Sequence, residues 1–162
     1  MEKQNFLKGK KILLVDDESD VLEALRDLLS MCEIDMATTY EQAWEMLGTR
    51  YYDLAVLDIM GVNGYRLLEL ANERGISAVM LTAHALTPED IEKSYHGGAA
   101  LYLPKDEMAH ITKYLEDVLE AKEEGKNTWW RWFERLGQFF IRRFGPEWTT
   151  QRKEFLEKYI YF

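Results

Sequence analysis

Ile12-Leu13-Leu14-Val15-Asp16-Asp17 sets an unbroken apolar run directly against two carboxylates. The plan recurs three times. Leu54-Ala55-Val56-Leu57 precedes Asp58, Ala78-Val79-Met80-Leu81 precedes Thr82, and Leu101-Tyr102-Leu103 comes just before Lys105. Continuous apolar runs of this length, alternating with longer amphipathic stretches, read as parallel strands buried on both faces and joined by helices. In such sheets ligands bind outside the carboxyl ends of the strands. Three carboxylates, a hydroxyl and an ammonium are therefore expected in one crevice.

Working outward, the pattern gives five strand-helix units. Strands are expected near 11–16, 33–37, 53–58, 77–82 and 99–103, and helices near 19–31, 40–49, 64–74, 87–96 and 106–122. The first helix repeats Val21/Leu22, Leu25 and Leu28/Leu29, and the last repeats Met108, Ile111, Leu115 and Val118/Leu119, both at the helical period. Thr87-Pro88-Glu89-Asp90 is a helix start, and Thr39 with Gln42 has the spacing of a capping box. Ile34-Asp35-Met36-Ala37-Thr38 is the least apolar of the strands. Alternating strands and helices require right-handed crossovers, hence a doubly wound α/β sandwich.

The length of 162 residues suits one domain with a short appendage. No run is long enough to span a membrane, and Met1–Lys10 lacks the apolar core of a signal peptide. The single cysteine, Cys32, leaves no internal disulfide and reads as a small core residue. Together these features point to the cytoplasm. Residues 1–125 carry 12 Lys and Arg against 25 Asp and Glu, whereas residues 126–162 carry 8 against 4. An acidic body disfavours nonspecific nucleic-acid binding and suits a site that collects a divalent cation.

A boundary falls in the charged, glycine-containing stretch around Lys122–Asn127, dividing the chain into 1–124 and 125–162. The second part holds 12 of the 21 aromatic residues and four of the five tryptophans. Asn127 or Thr128 is placed to cap a helix running to about Phe144, which Gly145-Pro146 ends, and a second helix is expected over 148–160. On a helical wheel Trp129, Trp132, Phe133, Leu136, Phe139, Phe140 and Phe144 share one broad face. So apolar a face must be covered. Four covers remain open: the body or a second copy, a partner protein, a membrane surface, or DNA. The last fits least, because two short helices do not make a complete helix-turn-helix domain.

Residues 10–122 resemble the receiver domain of bacterial two-component response regulators. The matching stretches are Ile12 to Glu18, Leu57-Asp58-Ile59-Met60, Leu81-Thr82-Ala83, and Gly98-Ala99 followed by Tyr102-Leu103 and Lys105. The resemblance implies a five-stranded parallel sheet of order 2-1-3-4-5. It implies Asp58 as phosphoacceptor, and Mg²⁺ held by Asp17, Asp58 and the Met60 carbonyl, with Asp16 acting through water. Lys105 neutralises the phosphoryl oxygens, and Thr82 and Tyr102 carry the readout, Tyr102 by turning inward; a plain core reading of Tyr102 stands beside that one. His84 is placed either at the site mouth or on the surface, and His96 and His110 read as structural. The implied partner is a sensor histidine kinase or phosphotransfer protein, with a homodimer or partner protein on the tail. The domain would catalyse only its own phosphorylation and dephosphorylation.

Two departures accompany the resemblance. The family usually has a methionine-proline turn after the acceptor and a glycine eight positions on, whereas Asp58 is followed by Ile59-Met60-Gly61-Val62-Asn63-Gly64, with that glycine at six and no proline. Proline also precedes Lys105 instead of following it, and Asp106 is placed to cap the last helix. The expected protein is a stand-alone phosphorylatable receiver with an aromatic helical extension. The alternative is an unphosphorylated adaptor that binds partners through its C-terminal helices.

Overall fold

In a computed structural model, residues 6–83 and 88–129 are described, and beyond them 131, 132, 135, 136, 141, 142, 145 and 146. Along the chain run β1 (Lys11–Val15), α1 (Ser19–Leu28), β2 (Glu33–Ala37), α2 (Tyr40–Thr49), β3 (Leu54–Asp58), α3 (Gly64–Glu73), β4 (Ser77–Thr82), α4 (Pro88–His96), β5 (Leu101–Pro104), a 3-10 helix (Lys105–His110) and α5 (Ile111–Glu124). The five strands form one parallel sheet in the order β2-β1-β3-β4-β5. Fold class and strand order are those expected from the sequence.

The apolar runs explain the layering. β3 is buried at every position and β1 at all but Lys11, so helices must cover both faces. β2 lies at a sheet edge and is only partly buried, which accounts for its weak apolar signal. Thr39 caps α2 as expected: its Oγ1 accepts from Gln42 N at 3.2 Å, while Gln42 Oε1 accepts from the backbone of Thr38 at 3.0 Å. Thr87 lies outside the described residues, although α4 does begin at Pro88.

Register brings the strand ends level. Val15 lies beside Leu57, Asp58 beside Leu81, and Thr82 beside Pro104. Each residue that follows a strand thus emerges at the same sheet edge as its neighbour's. Two local expectations fail here. β5 starts at Leu101 because Gly98 turns the chain with φ 88° and Ala100 N–H only then joins Ala78 O at 2.7 Å. Asp106 is not the cap of the last helix: Pro104 and His110 occupy the cap positions of the 3-10 helix and α5, and neither has a side-chain cap bond.

The start of the tail packs on the body. Asn127 Oδ1 accepts from Trp129 N at 2.7 Å, so Asn127 supplies the cap, and Trp132 N bonds Thr128 O at 3.0 Å. Trp129, Trp132 and Leu136 are buried in the same core as the sheet. Their polar atoms run to β5 and the turn before it. Thr128 Oγ1 donates to Ala100 O at 2.6 Å, Trp129 Nε1 to Ala99 O at 2.9 Å, and Trp132 Nε1 to Tyr102 O. An edge strand offers unpaired carbonyls, and here side chains from the tail meet them. Arg131 and Arg135 complete the attachment by pairing with Asp117 of α5. Of the covers left open by the sequence, the body takes this part of the apolar face. Gly145, at φ 87°, donates to Ile141 O, as expected of a helix end. Phe133, Phe139, Phe140, Phe144 and the second tail helix lie outside the described residues.

Candidate phosphoryl-acceptor and metal site

Asp16 and Asp17 leave the end of β1, Asp58 ends β3, Thr82 ends β4, and Lys105 follows β5. The geometry draws four of these five together closely. Lys105 Nζ lies 2.8 Å from Asp16 Oδ2, 3.3 Å from Glu18 Oε1 and 3.8 Å from Asp58 Oδ1. A Cβ built on Gly61 would sit 2.3 Å from Asp17 Oδ1 and 2.7 Å from Asp58 Oδ2, so those two oxygens are no farther apart than the sum of these distances. Ligand atoms of Asp16, Asp17 and Glu18 all lie within 4.8 Å of one another. Thr82 is buried beside Pro104 in the sheet. Met60 is 65% exposed in the turn between Asp58 and Gly61. His84 lies outside the described residues.

The carboxylates are buried with too little compensation. Asp16 is fully buried and Asp58 only 4% exposed. Asp16 Oδ1 accepts from Glu18 N at 2.9 Å. Its Oδ2 touches Lys105 as an ion contact but has no directed hydrogen bond. Asp58 Oδ2 accepts from Gly61 N at 3.2 Å. Burial, and then the neighbouring Asp16 charge, push the Asp58 carboxyl up to about 6, against the pull of Lys105 and the Gly61 N–H. Burial raises Asp16 as well, opposed by Lys105 and the Glu18 N–H. For Lys105 burial acts downward, but its contacts with Asp16, Asp58 and Glu18 outweigh it and hold the ammonium protonated above its ordinary range.

These residues fit a divalent cation of the Mg²⁺ kind. Hard oxygen donors converge, one of them a buried carboxylate oxygen met by the Lys105 ammonium, and the space between Asp17 and Asp58 is kept open by a residue without a side chain. A cation there would supply positive charge beside three adjacent carboxylates.

Two contributors were not assigned from sequence. Glu18 was part of the acidic triplet, and its ion pair with Lys105 depends on an approach across 87 residues. Gly61 lies in the connection after Asp58 whose departure from the usual turn is visible in the sequence. Gly64 is equally constrained, since a Cβ there would meet Asp58 O at 2.3 Å. The short connection thus lays the start of α3 against the acceptor's own backbone, with Asn63 in the left-handed region at φ 53°. Tyr102 is 1% exposed, so its ring is already inside, and burial, with Asp90 and Tyr65 adding, raises its phenol far above the usual range.

A model of the response regulator receiver domain matches residues 12–116. The chain belongs to that family. The two-component response regulator ARR12 of Arabidopsis thaliana is 31% identical over 133 residues, covering 75% of this chain and 22% of the relative. A second from the same plant, ARR18, is 33% identical over 106 residues, covering 62% and 16%. The chain therefore spans less than a quarter of the length of these relatives. Among solved structures, a CheY-like receiver domain protein from Methanospirillum hungatei matches with a TM-score of 0.66 at 25% identity, over 73% of this chain and 99% of that one. The receiver domain of an HD domain-containing protein from Pseudomonas fluorescens gives 0.64 at 25%, over 72% and 99%. The likeness therefore holds at the level of the family, across plants, archaea and bacteria, and the bacterial resemblance read from the motifs is not a bacterial assignment. No described helix is long and apolar enough to cross a membrane.

Proposed function

We propose that the chain is a phosphorylation-dependent switch of two-component signalling, with Asp58 as phosphoacceptor. One observation carries this reading: a buried carboxylate crowded by Asp16 and Asp17, whose oxygens meet, among the described residues, Lys105 and one backbone N–H. A structural carboxylate so placed would be a net cost, whereas a reacting one needs this poise.

In this reading Asp17, Asp58 and the Met60 carbonyl would hold Mg²⁺, with Asp16 acting on it indirectly, and the ion would supply positive charge against the carboxylates and the incoming phosphoryl oxygens. A carboxylate oxygen of Asp58 forms the new O–P bond while the donor's bond to phosphorus breaks, and the donor side leaves with the electron pair. That bond is P–N for a phosphohistidine donor and P–O for an acyl phosphate. Lys105 turns its charge to the equatorial oxygens, and the Thr82 hydroxyl donates to one of them. Hydrolysis of the acyl phosphate returns the switch to rest. The donor is a sensor histidine kinase or phosphotransfer protein.

Incubation with Mg²⁺ and acetyl phosphate, followed by intact-mass measurement, tests the reading. Addition of one phosphoryl group, lost in Asp58→Asn, is expected. An unmodified wild-type chain would leave the adaptor reading in its place.

A further inference from the structure

Glu18 occupies the N-cap of α1 at φ −94° and ψ 109°, yet its side chain makes no cap bond. Serine, threonine, aspartate and asparagine are preferred there because their short side chains reach the free N–H groups of the first turn. The Glu18 carboxylate is turned elsewhere: its Oε1 lies 3.3 Å from Nζ of Lys105, 87 residues along the chain. The backbone around it is fixed from the same site. Glu18 N donates to Asp16 Oδ1 at 2.9 Å, and the other oxygen of Asp16 meets Lys105 at 2.8 Å. Asp16 and Glu18 thus take the ammonium between them and leave Asp58 third, at 3.8 Å.

We propose that Glu18 is a positioning residue that tethers Lys105 in the resting site and so opposes its transfer to a phosphoryl group on Asp58. The proposal rests on the phosphoacceptor reading, in which Lys105 turns to the phosphoryl oxygens. A phosphoryl group adds negative charge and strong acceptors beside Asp58, so the ammonium must leave one of its present partners to reach them. Asp16 is fully buried, and an uncompensated charge there is costly. Glu18 is 61% exposed, and water takes its carboxylate back when Lys105 departs. The partner to be given up is therefore Glu18.

Exposure also sets the size of the effect. An open ion pair shifts an equilibrium by about fivefold at most, so Glu18 trims the switch and does not decide it. It further makes the tether sensitive to salt, which screens exposed pairs more than buried ones.

Two variants separate reach from charge. Glu18→Gln removes the charge. Glu18→Asp keeps it at a position that suits aspartate, one methylene too short to hold Lys105. The full chain is titrated in Mg²⁺ with beryllium fluoride, a phosphoryl mimic. Both variants are expected to bind it about two- to fivefold more tightly than the wild type. The gain is expected to vanish near 1 M KCl, where charges act over only about 3 Å. Tighter binding by Glu18→Gln alone would mean that Glu18 repels the anion, and it overturns the tether. Unchanged affinity in both variants, or a gain that survives high salt, does the same.

A second readout needs neither metal nor mimic. In Mg²⁺-free urea unfolding, a double-mutant cycle of Glu18→Gln and Lys105→Gln is expected to show about two- to fivefold coupling in the unfolding constant. Strict additivity overturns the tether. Acetyl phosphate treatment of the wild type keeps the two readings apart. Phosphoryl gain with no effect of Glu18 removes the tether alone, and no gain removes the acceptor reading and the tether with it.

Discussion

Asp58 and Asp117 are buried almost equally, at 4% and 5% exposure, yet their surroundings are opposites. Asp117 is met by two guanidinium groups: Arg135 reaches both its oxygens and Arg131 lies 3.4 Å away. Asp58 has one backbone N–H at 3.2 Å, an ammonium at 3.8 Å, and Asp16 and Asp17 as neighbours. Fork-shaped, permanently charged arginine is suited to closing off a carboxylate. A single lysine shared among three acids is not. The first arrangement holds a helix in place, and the second leaves charge to be supplied from outside.

The largest expected effect breaks the open arrangement sterically. Gly61→Ala places a methyl within 2.3 Å of Asp17 Oδ1 and 2.7 Å of Asp58 Oδ2. Those carboxylates must separate, so Mg²⁺ affinity is expected to fall by about 10- to 100-fold, the range for disturbed ligand orientation. Phosphoryl gain from acetyl phosphate should fall in parallel. Isothermal titration with Mg²⁺ measures the first, and an unchanged affinity would show that Gly61 is not what keeps the carboxylates together.

The same crowding has a signature in pH. Asp58 holds its proton to about 6 in the folded chain, against 3.8 as its ordinary value. Between those pH values the folded state binds more protons than the unfolded one, so stability falls as pH rises. The contribution present below pH 4 is lost by about pH 6, on the order of 3 kcal/mol from this group. Urea unfolding across that range in Mg²⁺-free buffer should show the loss, Asp58→Asn should flatten it, and Mg²⁺ near neutral pH should restore stability.

Asp117→Ala sharpens the contrast from the closed side. It leaves Arg131 and Arg135 without their buried acceptor, but both are partly exposed and regain water. The cost is therefore set below that of breaking a fully buried pair, at about 2 kcal/mol. Urea unfolding near neutral pH reads it, and phosphoryl gain at Asp58 should survive.

The sheet, and the gathering of most candidate site residues, were legible because those residues fall at strand ends. A run such as Leu54–Leu57 fixes a strand, and the residue after it is then fixed in space. Thr39 was legible for a similar reason, since a cap is decided within four residues. What the sequence could not locate depends on contacts between distant segments. The Trp129 and Trp132 face announced burial without naming its acceptor, because amphipathicity states what a helix needs and not what supplies it. Glu18 needed Lys105 brought from across the chain. Asp106 misled as a cap because the chain tightens into a 3-10 helix at Lys105, which moves the start of the last α-helix to Ile111.

The smallest test asks how far the closed side depends on individual polar contacts. Thr128 Oγ1 donates to Ala100 O at 2.6 Å, where the edge strand is about to begin, and Thr128 is itself buried. Thr128→Val keeps the shape of the side chain and deletes the donor, so the change should cost about 1 kcal/mol, the usual net value of such a bond. If denaturant midpoints show that cost, each carbonyl of this edge depends on its own tail donor. A cost near zero would mean that the two indoles and the Asp117 pair already hold the segment without it. The segment would then be anchored by the indole donors at Ala99 and Tyr102 together with the Asp117 pair.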